Sequence, residues 1–177
     1  MTVEGDATEL VTVRLPRIPL PVQMRSSQHF DELMREFTLI SLDINRGSDS
    51  ESSARPVPVR LLDLVEELTT DFSGFVANVT EERDQAIARG DAEIDLTYRI
   101  PPAAAAACRR LCDLLEEVDE YCRSGQHLIT LETPPESVAF RRWYLGEFIE
   151  QVEKGHEPQL WQDYVAANHP DADWARS

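Results

Sequence analysis

The residue types best suited to chemistry in this chain are three cysteines, four histidines and a dense run of carboxylates. Cys108 and Cys112 stand four residues apart, which puts both thiols on one face of a helix, as metal ligands can be. A structural metal site wants about four ligands. Cys122 lies further along, and no histidine has a matching spacing. A free cysteine otherwise behaves as a small core hydrophobe, so all three are expected in the packing. An odd, sparse set of cysteines also fits a reducing cytoplasm. Di-iron bundles use Glu-x-x-His on facing helices, a motif that does not occur here. Asp113, Glu116, Glu117, Asp119 and Glu120 are therefore expected on a solvated face. His29 stands near the start of a helical pattern, where phosphotransfer bundles expose a histidine. The run that follows it, HFDELMREF, brings acids that repel a phosphoryl group. His127, His156 and His169 fall in a loop and the tail. Nucleophile elbow, P-loop and dinucleotide fingerprint are all missing from the sequence. The expectation is a protein that is not an enzyme and holds neither metal nor cofactor.

The cluster with most to offer is Phe140-Arg141-Arg142-Trp143-Tyr144. Consecutive helical positions fan through about 100° each, so one core cannot bury all five. Trp, Tyr and Arg dominate interface hot spots. Arg141, Arg142, Trp143 and Tyr144, with Trp161 in the tail, are thus candidate partner-binding residues. The alternative is that both arginines pair with acids of neighbouring helices while Trp143 packs under the tail.

These residues need elements to position them. Val11, Val13 and Leu15 alternate with Thr12 and Arg14, predicting a short strand that Pro16, Pro19 and Pro21 cut off into an extended arm. From Val22 to about Asn45 the period turns helical through Phe30, Leu33, Phe37, Ile40 and Ile44. The longest helical signal runs from Val59 to Arg89, with a bend expected at Ser73-Gly74 and a far end that projects beyond the bundle. Residues 93–100, EIDLTYRI, alternate fully and predict a strand able to pair with Val11–Leu15. Two more helices follow, each introduced by a double proline: one over 102–123 with small residues early on, the other ending at Gly155. Between them QHLITLE is a further short extended segment, and Thr133 with Glu136 reads as a capping box. The second helix is expected to bury Val138, Leu145, Phe148, Ile149 and Val152; Leu160, Trp161, Tyr164 and Val165 predict a last amphipathic turn, and DADWARS a frayed end. The fold class expected is mainly α: a four-helix bundle-like domain with two or three short extended or β segments. It divides into an N-terminal arm (1–21), a helical domain (22–155) with a flexible linker near 47–55, and a C-terminal tail (156–177).

Charge limits the partners. A net charge of −16 excludes bare nucleic acid, which needs a basic surface to release counterions. Sixteen of the 17 basic residues are arginine, Lys154 being the exception, a bias that codon usage in a GC-rich genome explains. Without a run of 18 apolar residues no membrane span is expected, and the acidic start MTVEGDATEL is no signal peptide, which points to the cytoplasm.

At DLTYRIPP, LLEEVDEYCRSGQHLITLETPPE and FRRWYLGEFIEQV the chain resembles a family of helical proteins from high-GC Gram-positive bacteria, over about Leu20 to Val152. Members accompany, or are fused to, anti-sigma-factor kinase-like ATPases and their phosphoprotein antagonists. The resemblance implies partner-switching regulation. Because the ATPase motifs are missing, it also implies an accessory or adaptor and not the kinase. The expected function is a non-enzymatic regulatory protein that binds a protein partner, possible candidates including an anti-sigma regulator, with a homodimer open. A small-molecule-sensing helical domain is the alternative, and histidine phosphotransfer through His29 ranks last.

Overall fold

The computed structural model describes residues 9–46, 55–124 and 132–176. Most of the expected linker near 47–55, most of the extended segment over 126–132, and His127 lie outside the described residues. The fold is mainly α with one small antiparallel sheet. Its elements are β1 (Val11–Pro19), α1 (Leu20–Arg46), α2 (Val57–Arg89), β2 (Glu93–Ile100), α3 (Ala103–Arg123), α4 (Pro135–Lys154) and α5 (Trp161–Asn168), then a 3-10 turn at Asp173–Arg176.

β2 occupies the residues whose alternation predicts it, and β1 pairs with it from Val11 opposite Ile100 to Leu15 opposite Leu96. The prolines do not cut β1 short. Three steps on β1, Leu15 to Ile18, oppose two on β2, Leu96 to Ile94, so a bulge takes up Pro16 and Arg17. A bulge needs no ladder donor from Pro16. Arg17 takes a left-handed φ of 52°, its N–H donates to Asp95 Oδ1 at 2.7 Å, and its guanidinium pairs with Glu93. The extra residue also switches parity, so that Ile18 and not Arg17 follows Leu15 into the core. β1 then runs directly into α1, whose first N–H (Leu20) donates to Ala92 O at 3.0 Å.

Two apolar clusters share the long helix. Leu61 and Leu64 of α2 meet Leu33 and Phe37 of α1 and Leu114, Leu115 and Val118 of α3. Val79, further along α2, belongs to the other cluster, with Val13, Leu15, Leu96, Tyr98 and α4. The far end of α2 therefore does not project: Val79 and Ala86 are buried, and β2 returns along that end of the helix. Glu81, Glu82 and Asp84 stay exposed there without interrupting the contact. Helix α2 is continuous through Ser73-Gly74. Gly90 closes it with φ 76°, where Gly90 N–H donates to Ile87 O and Asp91 N–H to Ala86 O, a left-handed cap that suits glycine.

Helix α4 is the enclosed one, touching α1, α3, β1 and α5. Its buried side is accordingly not the one the period suggests. Phe148 is buried as expected, but Val138, Leu145, Ile149 and Val152 are only half-buried, while Ala139, Phe140 and Trp143 join the interior with Ser137, Glu147 and Gln151. The tail is ordered rather than frayed: Trp174 stacks on Trp161 at 6.2 Å between ring centroids, and Trp161 stacks on Tyr164. No helix among the described residues is long and apolar enough to cross a membrane.

Candidate functional site

The five large residues at 140–144 fit because α4 has neighbours on several sides. Trp143 is 1% exposed and donates its indole N–H to Gln159 O at 3.0 Å. Trp161, 7% exposed, sits against Phe140 at 5.5 Å and Trp143 at 5.6 Å. The Tyr144 hydroxyl bonds that of Tyr98, and burial holds its pKa well above the ordinary tyrosine value. Arg142 forms a bidentate pair with Glu116, 2.7 Å on each arm, and that hydrogen bonding pushes the Glu116 carboxyl below its usual range. Of the candidate partner-binding residues, Trp143, Tyr144 and Trp161 are thus committed inside the fold, and Arg141 nearly so. Arg142 alone keeps an exposed guanidinium, 47% accessible.

Arg141 leads to a polar node that joins three segments. It pairs with Asp119 of α3, and the two side chains are 16% and 11% exposed. Asp119 is not on the solvated face: at helical spacing it follows Leu111 and Leu115 on the apolar stripe, whereas Asp113, Glu116, Glu117 and Glu120 are exposed. Thr133 gives its hydroxyl proton to Asp119 Oδ1 at 2.8 Å, so the capping box does not form. Pro134 takes the N-cap position instead, and Glu136 turns to Arg25 at 2.8 Å. With its one proton committed, Thr133 Oγ1 can only accept from His29 Nε2, 3.1 Å away. Neutral His29 then carries its proton on Nε2 and leaves Nδ1 as an acceptor. Burial lowers the His29 pKa, against a smaller upward pull from Glu32 and Asp119.

His29, Thr133 and Arg141 stand along an open groove of about 690 Å³ between α1 and the α2, α3 and α4 surfaces that face it. Its apolar walls include Phe30, Leu33, Leu111, Leu115, Phe140 and Leu145. Gln23 and Ser26, one helical turn apart on α1, also line it. Gln23 is 6% exposed, and neither its Oε1 nor the Ser26 Oγ has a hydrogen-bond partner. Each unsatisfied buried polar atom costs about 1–3 kcal/mol.

A second polar pair inside α4 secures the sheet. Gln151 donates Nε2–H to Arg14 O at 2.8 Å and accepts Arg14 N–H on Oε1 at 2.9 Å, covering part of the free edge of β1. Glu147 Oε2 accepts from Gln151 Nε2 at 2.7 Å and from Gln159 N–H at 3.1 Å, and burial raises its pKa. The cysteines behave as packing residues: burial pushes the Cys108 thiol up to about 12 and Cys122 to about 11, so neither is a thiolate at neutral pH. Among the described residues no cluster of three or more His, Cys, Asp and Glu could hold a metal ion.

One apolar stripe remains uncovered. On α2, Phe75 lies at the centre of the face that carries Leu61, Val79 and Ala86, yet it is 37% exposed. Leu68, Phe72 and Val76 beside it are only half-buried. Asp71 and Glu82 flank Phe75 on the same side of the helix, both exposed and in no ion pair among the described residues. Gln23, Ser26, Glu147 and Gln151 are not among the residues singled out from the sequence, and Asp119 is expected from it on the solvated face. The readable signal was a polar residue at an apolar period position, as with Asp119 after Leu111 and Leu115. Comparison of the chain with family models, with curated proteins and with solved structures finds no match.

Proposed function

We propose that this chain is a non-enzymatic regulatory or adaptor protein that binds a protein partner through the partly uncovered apolar face of α2. The observation that carries this reading is the half-uncovered stripe of Leu68, Phe72, Phe75 and Val76, flanked by the exposed acids Asp71 and Glu82. An apolar helix face rimmed by acid suits a basic amphipathic helix of a partner. Two copies of a chain with net charge −16 would bring acid against acid, which favours a basic partner over a homodimer. The resemblance over Leu20–Val152 would place such a partner among anti-sigma regulators.

A photo-crosslinking residue at position 75, with one at 142 as control, would capture the partner in cells. The captured protein would then be purified and titrated calorimetrically. Phe75→Asp and the double charge reversal Asp71→Lys/Glu82→Lys should each weaken binding at least about tenfold, the scale of one hot-spot contact. Wild-type affinity in both variants, with melting temperatures unchanged, would remove α2 as the interface.

A further inference from the structure

A buried amide without a partner has no structural use. At position 23, between buried Val22 and the exposed Met24, a leucine would fill the same space with nothing left unsatisfied. Gln23 and Ser26 both line the groove between α1 and α4, and the buried Gln23 carbonyl oxygen and Ser26 hydroxyl both lack partners. Tyr98 and Tyr144 have two hydroxyl protons between them and share one hydrogen bond, so one O–H has no acceptor among the described residues. Tyr144 also lines the groove. The cleft thus offers an acceptor at Gln23 and, at Ser26, a hydroxyl that can donate or accept. The remaining wall is apolar.

The charges along the groove define what it would admit. Arg141 is neutralised by Asp119 and Arg83 by Asp84. Among the described residues only Asp31 and Arg35 on this groove are unpaired, and both are exposed at its rim with opposite signs. No cation is free inside to receive a carboxylate or phosphate, and no anion to receive an amine. A volume of about 690 Å³ lies within the range of small-molecule sites, roughly 300–1,000 Å³.

We propose that this groove binds a small, uncharged amphipathic molecule. Its apolar body lies along Phe30, Leu111, Leu115 and Leu145, and its head, an amide or alcohol with both donor and acceptor, meets Gln23 and Ser26. The site is separate from the apolar stripe around Phe75 on α2 and does not depend on partner binding there.

The full chain would be titrated by calorimetry and thermal shift with decanamide, 1-decanol and decanoate. Decanamide and decanol should bind and raise the melting temperature, with decanoate at least about tenfold weaker. Gln23→Leu should weaken decanamide about tenfold or more while keeping or raising the melting temperature of the free protein, because it removes an unsatisfied amide. Ser26→Ala gives the same reading with a smaller change of shape, should the leucine disturb the fold. Phe75→Asp should leave decanamide binding as it is. The proposal is overturned by absence of binding for all three probes up to about 1 mM. It is equally overturned by decanoate binding as tightly as decanamide, or by undiminished decanamide affinity in the Gln23 and Ser26 variants.

Discussion

Removing the Asp119 carboxylate tests whether the polar node is structural. Asp119 accepts from Thr133 Oγ1 at 2.8 Å and from Arg141 Nη1 at 3.1 Å, with the Arg141 Nη2 contact closing the second arm. In Asp119→Ala the Arg141 side chain, 16% exposed, loses its hydrogen-bonded carboxylate and keeps only the more distant Glu116, 4.0 Å away. Breaking one partner of such a pair costs about 3–5 kcal/mol. For a chain of this size each kcal/mol lowers the melting temperature by about 2–4 °C, which gives a fall of about 6–20 °C. The control is Glu117→Ala. It breaks the Arg60–Glu117 pair, whose side chains are 42% and 47% exposed, and should cost only about 0–1 kcal/mol. The double variant Asp119→Leu/Arg141→Met should recover most of the loss, since it removes both charges together. Urea and thermal unfolding followed by circular dichroism read all four proteins. NMR titration adds a second readout: Asp119 pulls the His29 pKa upward, so in Asp119→Ala that pKa should fall further below 6.5. A cost for Asp119→Ala within about 1 kcal/mol of the Glu117 control would refute the argument, because it would mean that water reaches Arg141 as freely as Arg60.

Two further outcomes follow from α4. Trp143→Ala should cost about 3–5 kcal/mol by urea unfolding, for it empties an aromatic site and frees the Gln159 carbonyl, whereas Arg142→Ala should cost about 0–1 kcal/mol; equal losses would contradict the placement of the two residues. Glu147 has a folded-state pKa above 4.5, so folding favours its protonated form, and the stability it contributes below pH 4.5 is lost as pH rises through the folded value. Glu147→Gln keeps an acceptor for Gln151 and Gln159 without that loss. Its melting temperature at pH 7 should equal or exceed that of the native chain, with the difference closing as pH falls below 4.5. A variant less stable at pH 7, or a difference that pH does not alter, would count against a buried, uncompensated Glu147.

How far the fold could be read depended on whether one neighbour or several decide a residue's burial. β2 is half-buried against one layer, so its period of two translates directly into Leu96, Tyr98 and Ile100 inside and Asp95, Thr97 and Arg99 outside. The same rule works for β1 until Pro16, where a bulge, invisible to periodicity, restores the register with Ile18. Helix α4 defeats the method because it is enclosed. When a helix has neighbours around most of its circumference, an apolar stripe no longer marks one buried face, and Glu147 and Gln151 are buried beside Phe148. The candidate site was harder to read for a related reason. Asp119 is separated by 14 residues from Thr133 and by 22 from Arg141, and no local spacing rule connects them.

The location of free surface follows from length. Helix α2 has 33 residues and spans about 50 Å, whereas its neighbour α3 has 21 and spans about 32 Å. One neighbour cannot cover the whole stripe. The α1–α3 side secures Leu61 and Leu64, and the sheet side secures Val79 and Ala86. Between Leu64 and Val79 lie about four turns in which the apolar period continues through Leu68, Phe72, Phe75 and Val76 with only partial cover. The α3–α4 hairpin shows the opposite balance. The aromatic residues of α4 are consumed by the tail and the sheet, and Arg142, Arg141 and Arg109 by Glu116, Asp119 and Glu153. A variant there reports mainly on folding, whereas a variant at Phe75 alters a residue that the fold leaves partly unused. A partner that binds this chain through apolar contact therefore has more to gain on α2 than on the hairpin.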